Sequence, residues 1–490
     1  MLFVQAVRSV VKRMWFVLES KQKIPHENKG METMNLGLVS NHIRETSFTH
    51  SQNNSLFADL KPPLTDADAF VEAYRCLECG GPYAEAPCTV SCPANVDIPG
   101  FVSAIARGDN FSAAETIYAE NILGSSCARV CPVEMLCEGS CVLEEEGRRP
   151  VDIGRLQRYA TDIALKNGYR HKKATKTNSK NISVIGAGPA GLSCAAELAR
   201  KGYKVTVYDE RKDFGGLVRY AIAPYRIVNN PLPEETAMIA DLGVQFNMQT
   251  PIDTKEKLKK ITEESDAVFL GIGLGQDVDV NYPGEDLPGV WQSLDFIEAI
   301  KTGNLPKVGH KVAVIGGGNT AIDVAREAAR LGAKEVTMIY RRTEAEMPAY
   351  PHEIVEAREE GIHFQFLTNP IRFIGDARLE AMECHYMRLG EPDSSGRPHP
   401  EKVSGTEFKI PVDTVIKAIG QQKRKTFLSW IDNLEDDWGL IKIDQKTGQT
   451  TNQKYFAGGD ALNGGATVVE AIRDGKTAAN GIDQYLKGNA

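Results

Sequence analysis

The stretch "NISVIGAGPAGLSCAAELARKGYKVTVYDE", residues 181–210, decides the fold. It opens with an apolar run, Ile182–Gly186, that reads as a strand buried on both faces. A glycine turn follows, Gly186-x-Gly188-x-x-Gly191, with Pro189 and Ala190 inside it, and then a helix and a second strand. The first glycine permits the tight turn, the second lets a pyrophosphate approach the backbone, and the third packs helix on strand. The helix start offers free N–H groups and the positive end of its dipole to phosphate. Asp209 ends the second strand, where an acid grips a ribose hydroxyl.

A second copy lies at residues 311–342, "KVAVIGGGNTAIDVAREAARLGAKEVTMIYRR". Gly316, Gly318 and Ala321 take the fingerprint positions, with Asn319 and Thr320 between them. Where Asp209 closes the first copy, this one reads Tyr340-Arg341-Arg342. Arginines there suit a ribose 2′-phosphate through forked, charge-assisted hydrogen bonds. The second copy therefore reads as an NADPH site, NADH being the alternative. The tail, "KYFAGGDALNGGATVVEAIRDGKTAANGIDQYL" (454–486), gives a short strand, Gly458-Gly459-Asp460, and a helix opening near Thr467. A helix N-terminus aimed at a flavin ring stabilises negative charge on it. The first dinucleotide fold is thus closed by the C-terminal segment, with the second inserted inside it.

Upstream lies different chemistry. Eight of the ten cysteines fall in two runs, "CLECGGPYAEAPCTVSCP" (76–93) and "CARVCPVEMLCEGSC" (127–141); Cys194 and Cys384 stand alone. In a reducing compartment such density points to metal rather than disulfides. Iron–sulfur clusters favour a run ending Cys-x-x-x-Cys-Pro. That ending occurs twice, at Cys88…Cys92-Pro93 and Cys127…Cys131-Pro132. Structural zinc, the alternative, favours paired CxxC, and there is none after Cys79. Spacing alone makes Cys127 a ligand. Cys194, inside the fingerprint helix, reads as a small buried hydrophobe.

The remaining sequence narrows the class. A net charge of −8 on 490 residues implies no nucleic-acid surface. No apolar run approaches the ~20 residues of a membrane span. The N-terminus, rich in Val, Phe and Trp among Arg8, Lys12 and Arg13, reads either as a surface-lying amphipathic helix or as an upstream start, with Met31 or Met34 the true one. It lacks a cleavage site for secretion, so a cytoplasmic protein is expected. No Ser/His/Asp or HExxH pattern is present, and the reductase half holds no CxxC, which argues against a disulfide reductase.

From about Cys76 onward these motifs resemble the family of glutamate synthase small subunits and the N-terminal half of dihydropyrimidine dehydrogenase. "LGSSCARVCPVEMLCEGSC", "DIGRLQRYATD" and "FLGIGLGQ" look closer to the dehydrogenase branch; "YRRTEAEMPAYPHE" resembles both. The resemblance implies an α/β fold: an N-terminal α-helical iron–sulfur domain (51–175), then Rossmann-like flavoprotein reductase domains, with FAD bound by 176–295 and 416–490 and NADPH by 296–415. Residues 1–50 are an extension of uncertain status. It implies two [4Fe-4S] clusters, the first on Cys76, Cys79, Cys88 and Cys141, the second on Cys92, Cys131, Cys137 and Gln157. The family usually has four residues between the second and third ligands, so "GGPYAEAP" (80–87) must bulge outward. It further implies FAD contacts from Gly186, Gly188, Ala190, Gly191, Asp209, Gly216, Leu217, Arg226, Asp460 and Thr467.

The chemistry then runs one way. NADPH gives a hydride, a cluster takes one electron, and a flavin converts between them. The family's substrate barrel would need about 250 further residues, so the expected role is electron input to a partner, an FMN-bearing barrel subunit or a ferredoxin-like acceptor, in a hetero-oligomer. The leading expectation is the NADPH-oxidising subunit of a dihydropyrimidine dehydrogenase. The alternatives are a glutamate synthase small subunit or related NADPH:ferredoxin-type reductase, and a zinc-stapled, free-standing flavin reductase or binding module.

Overall fold

The computed structural model describes residues 56–228, 230–392 and 396–488; the N-terminal readings at residues 1–50 lie outside them. The first described part is helical: α1 (Asp66–Ala73), α2 (Pro87–Val90), α3 (Ile98–Ala106), α4 (Asn110–Glu120), α5 (Gly124–Val130), α6 (Val142–Glu145) and α7 (Ile153–Lys166). Thr65, Asp97 and Asp109 cap α1, α3 and α4 by accepting from backbone N–H groups of the first turn. The apolar positions of α3, including Phe101, Val102 and Ile105, are buried.

Two parallel sheets follow. The chain runs β1 (Asn181–Ile185), α8 (Pro189–Arg200), β2 (Lys204–Tyr208), α9 (Leu217–Tyr220), α10 (Leu232–Asp241), β3 (Gln245–Asn247), α11 (Lys255–Glu263) and β4 (Ala267–Leu270). It crosses to β5 (Val290–Gln292), α12 (Ser293–Lys301), β6 (Lys311–Ile315), α13 (Asn319–Arg330), β7 (Glu335–Ile339), α14 (Pro351–Glu359) and β8 (His363–Gln365). Strands β9 (Thr368–Ile374), β10 (Ala381–Pro392), β11 (Pro398–Lys402) and β12 (Phe408–Pro411) form an antiparallel sheet before β13 (Thr414–Lys417) rejoins the second parallel one. The return passes α15 (Lys425–Leu428) and a two-stranded ribbon, β14 (Asp436–Asp437) with β15 (Leu440–Ile441). It ends with β16 (Tyr455–Ala457), α16 (Asp460–Asn463) and α17 (Val468–Leu486).

The first sheet has the order β16-β4-β1-β2-β3, the second β5-β13-β6-β7-β8. The C-terminal strand β16 pairs parallel to β4, so the tail closes the first sheet around the inserted second domain. The second sheet begins at Val290 and its last strand ends at Lys417, against an expected span of 296–415. The earlier start is β5, an edge strand of three residues, too short to show a period, and β13 runs two residues past the expected end.

Packing ties the helical part to the first sheet. Phe101, Leu123 and Leu156 of the helical part share one buried cluster with Leu192, Phe269 and Ile472. Helices α8 and α17 pack closely, because a Cβ at Gly475 would lie 2.3 Å from the carbonyl oxygen of Ala190; Ser193 Oγ donates to the Ile472 carbonyl there at 2.8 Å. Lys476 of α17 reaches back to Glu120 at the end of α4. Cys194 and Cys384 are both fully buried among apolar neighbours, in separate clusters.

Candidate redox site

Glycines shape the first nucleotide cavity, of about 400 Å³. Gly186 takes φ +106°, and a Cβ there would sit 2.2 Å from the Gly271 carbonyl oxygen. Only glycine lets the strand turn so close beneath its neighbour. Gly191 packs directly on Gly186, the close helix–strand contact its position requires. A Cβ at Gly216 would come within 3.0 Å of Gly188 Cα, so these two glycines face each other across a cradle that side chains would fill. Helix α8 starts at Gly188 with no side-chain cap, leaving its first N–H groups open to an anion. Pro189, Ala190 and Leu217 line the same cavity.

Asp209 lies at the expected strand end. Its two oxygens accept from Ala187 N and Arg211 N, both at 2.7 Å. Burial holds its carboxyl above the usual carboxylate range. The carboxylate thereby fastens the glycine turn and keeps lone pairs for a ribose hydroxyl. Gly459, Asp460 and Thr467 also line this cavity. Thr467 caps α17 in a reciprocal box with Glu470, at 3.3 and 2.9 Å. The cradle, the open helix start and the acid at the strand end fit a dinucleotide such as FAD.

Arg226 behaves differently from its expected role as a cofactor contact. It is absent from the cavity wall; its guanidinium pairs with Asp323 and Glu353, each at 2.8 Å. Both acids belong to the second domain, on α13 and α14, so Arg226 joins domains. Lys301 of α12 works alongside, donating to the carbonyls of Val218, Ile222 and Ile227 at 2.9, 2.8 and 3.2 Å. That is the ammonium's full set of three donors.

The second cavity, of about 550 Å³, is lined by Gly316, Gly318, Thr320, Arg341 and Arg342. Ala321 is fully buried behind the turn. Asn319 lies on the wall of the first cavity, and its Oδ1 accepts from Tyr350 N at 2.9 Å. Arg341 is exposed, whereas Arg342 is only 3% exposed. Thr320 and Gln421 line both cavities, so the two nucleotide sites share a wall. Sequence reasoning missed Gln421 and Asp323, since neither belongs to a fingerprint position.

The cysteines form two groups. Cys76, Cys79, Cys88 and Cys141 line one small pocket beside Ile98 and Val102. The inserted residues 80–85 turn outward through a bridge between Gly81 and Ala84, with Tyr83 fully exposed. Burial and the neighbouring thiolates of Cys76, Cys141 and Cys79 push Cys88 up to about 12. In the second group Cys131 hydrogen-bonds Cys127 and lies near Cys137 and Cys92, and both that bond and burial raise its thiol well above the ordinary range. Clustered thiols that disfavour one another's ionisation suit a cationic core, which binds them with release of protons. A single zinc would draw four sulfurs to about 3.8 Å of one another, given Zn–S bonds of about 2.3 Å. Among the described residues no three Cys, His, Asp or Glu side chains converge to hold one ion. Gln157, on α7, donates through Nε2 to the Gly124 carbonyl at 2.6 Å, one turn before Cys127.

A buried carboxylate holds the second group to the flavin half. Glu235 of α10, fully buried, accepts from Ser125 N at 2.7 Å, Ser126 N at 3.1 Å and Ser126 Oγ at 2.5 Å. Helix α5 has no side-chain cap of its own, so a residue 109 positions away supplies one.

Comparisons with known proteins agree with this geometry. Residues 180–475 match the pyridine nucleotide-disulphide oxidoreductase family, and residues 52–169 match dihydropyrimidine dehydrogenase domain II, 4Fe-4S cluster. The glutamate synthase [NADPH] small chain of Halomonas elongata is 38% identical, over 88% of this chain and 93% of that one. The chain belongs to the glutamate synthase small-chain family. The Escherichia coli small chain is 36% identical over 88% of this chain and 94% of its own length. The beta subunit of an NADP(+)-dependent formate dehydrogenase from Moorella thermoacetica is 37% identical over 83% of this chain and 60% of its own. Among solved structures, Mycobacterium tuberculosis FprA in complex with NADPH superposes with a TM-score of 0.52 at 19% identity, over 64% of this chain and 85% of that one; this likeness concerns the fold. The protein is therefore an NAD(P)H-dependent oxidoreductase with FAD and 4Fe-4S domains. The expected closer likeness to dihydropyrimidine dehydrogenase shifts: that branch is matched through the cluster domain, while the near-full-length relatives are glutamate synthase small chains. No helix of the described residues is long and apolar enough to cross a membrane.

Proposed function

We propose that this chain is the electron-input subunit of a glutamate synthase-type enzyme, oxidising NADPH and delivering single electrons to a partner subunit through two [4Fe-4S] clusters. The observation that carries this reading is the shared wall at Thr320 and Gln421. On this reading the nicotinamide lies beside the flavin, and hydride transfer needs only alignment of two rings. FAD, when bound, supplies the exchange of a two-electron donor for one-electron acceptors. The chain's own residues cradle and orient: Gly188 and Gly216 admit the pyrophosphate, Asp209 the ribose, and Arg341 and Arg342 the 2′-phosphate. Cys76, Cys79, Cys88 and Cys141 would hold one cluster. Cys92, Cys131 and Cys137 would hold the other, completed by Gln157, whose amide touches the start of the cysteine-bearing helix. The near-full-length relatives supply the choice of branch.

The test is to isolate the tagged protein with its partner anaerobically and assay NADPH oxidation with glutamine plus 2-oxoglutarate, and separately with uracil. Turnover with the first pair supports the proposal. Turnover with uracil alone assigns the dehydrogenase reading, which the match of residues 52–169 favours.

A further inference from the structure

The second cavity has a third arginine that the nucleotide fingerprint does not contain. Arg397 precedes β11, in the antiparallel sheet inserted between β8 and β13, and lines the cavity with Arg341 and Arg342. The connection is built in. Arg342 Nε donates to the carbonyl of Pro398, 56 residues away, at 2.9 Å, so the residue next to Arg397 is latched to the end of β7. The long strand β10 holds β11 on one side and β9 on the other. Among the described residues lining it, the carboxylate is Asp277, whose two oxygens accept from Ser293 Oγ and Leu294 N, both at 2.8 Å. Arg341, Arg342 and Arg397 thus line one cavity together, and Asp277 is engaged at the start of α12.

We propose that Arg397 is a specificity residue for the 2′-phosphate of NADPH, contributed by the inserted sheet. This rests on the reading of the cavity as the NADPH site. A phosphate monoester carries nearly two negative charges at neutral pH, more than one guanidinium balances. Arg342 is buried and already gives its Nε to Pro398; its part is to fasten the hairpin as well as to face the nucleotide. Arg341 and Arg397 are the exposed pair, one on each side of that latch.

The experiment compares the unmutated holoenzyme with Arg397→Gln and Arg397→Lys. Flavin reduction by NADPH and by NADH is followed by stopped flow. Binding of 2′-phospho-ADP-ribose and ADP-ribose is followed by calorimetry, which does not depend on turnover. Loss of one charged contact predicts roughly a tenfold or greater weakening of the phosphorylated ligands for the glutamine variant. NADH and ADP-ribose should change less than twofold, and lysine should restore part of the discrimination. Equal weakening of both ligand pairs, or no change in either, overturns the role of Arg397 while leaving the cavity reading intact if Arg341→Ala still discriminates. An unmutated enzyme that treats NADPH and NADH alike overturns the cavity reading and this proposal together.

Discussion

Glu235→Ala isolates the contact between the cysteine-bearing helix and the flavin half. The carboxylate is fully buried and satisfies two backbone N–H groups and one hydroxyl at the start of α5. Alanine leaves both N–H groups without an acceptor in a site closed to water. An orphaned buried donor costs about 1–3 kcal/mol, so the pair should cost about 3–5 kcal/mol, the rotatable hydroxyl finding another partner. Much of that loss should be local, because α5 lacks a side-chain cap of its own. The assay is hydrogen exchange of residues 124–130 alongside denaturant unfolding, on protein with its cofactors bound. A second arm uses pH. Burial pushes Glu235 up to about 7 from an ordinary 4.5, against the hydrogen bonds from Ser126 and Ser125. The folded chain therefore binds the extra proton between those values, and the stability linked to this group falls as pH rises from about 4.5 to about 7. Glu235→Gln lacks that term. Its stability relative to the unmutated chain should improve by roughly 2 kcal/mol between pH 5 and 7.5. An alanine variant within 0.5 kcal/mol of the parent, with unchanged exchange over 124–130, would refute the reasoning.

The purified protein should contain FAD and about eight irons with matching sulfide; stoichiometric zinc with negligible sulfide would establish the zinc-stapled alternative instead. Arg341→Ala should weaken NADPH by about 1.5–3 kcal/mol in kcat/KM and leave NADH unchanged, an equal loss for both nucleotides counting against a 2′-phosphate contact. With Gln157 as fourth ligand, Cys127→Ser keeps both clusters and Gln157→Leu perturbs the second cluster's electron paramagnetic resonance signal with FAD retained; loss of four irons from the serine variant alone would assign Cys127. Lys301→Met should leave three carbonyls of the 218–227 segment without their donor and destabilise by about 2–4 kcal/mol, measured by thermal unfolding of the flavin signal.

Both glycine fingerprints were legible because each sits in a complete strand–turn–helix–strand unit. β1 and β6 fall where the apolar runs lie, and α17 opens at Thr467, near where the tail is expected to turn helical. The grouping of Cys76 and Cys79 with distant Cys141 needed the family resemblance, since no spacing links residue 79 to residue 141. Other features had no sequence signal. The strand β5 is too short to show a period, and β9–β12 fill a span with no fingerprint. Arg226, Asp323 and Glu353 find one another only when the domains close, because an ion pair across 97 positions leaves no local pattern. Arg397, in "GRPHP", reads as an ordinary turn.

The common apolar cluster that spans the helical part and the first sheet bears on how the chain can be divided. A fragment ending near residue 175 would divide the buried cluster that Phe101, Leu123 and Leu156 share with Leu192 and Ile472, and so would a reductase fragment starting there. The cysteine domain is therefore no detachable cartridge. Either half expressed alone should present an exposed apolar face and aggregate, which light scattering of the two fragments would check.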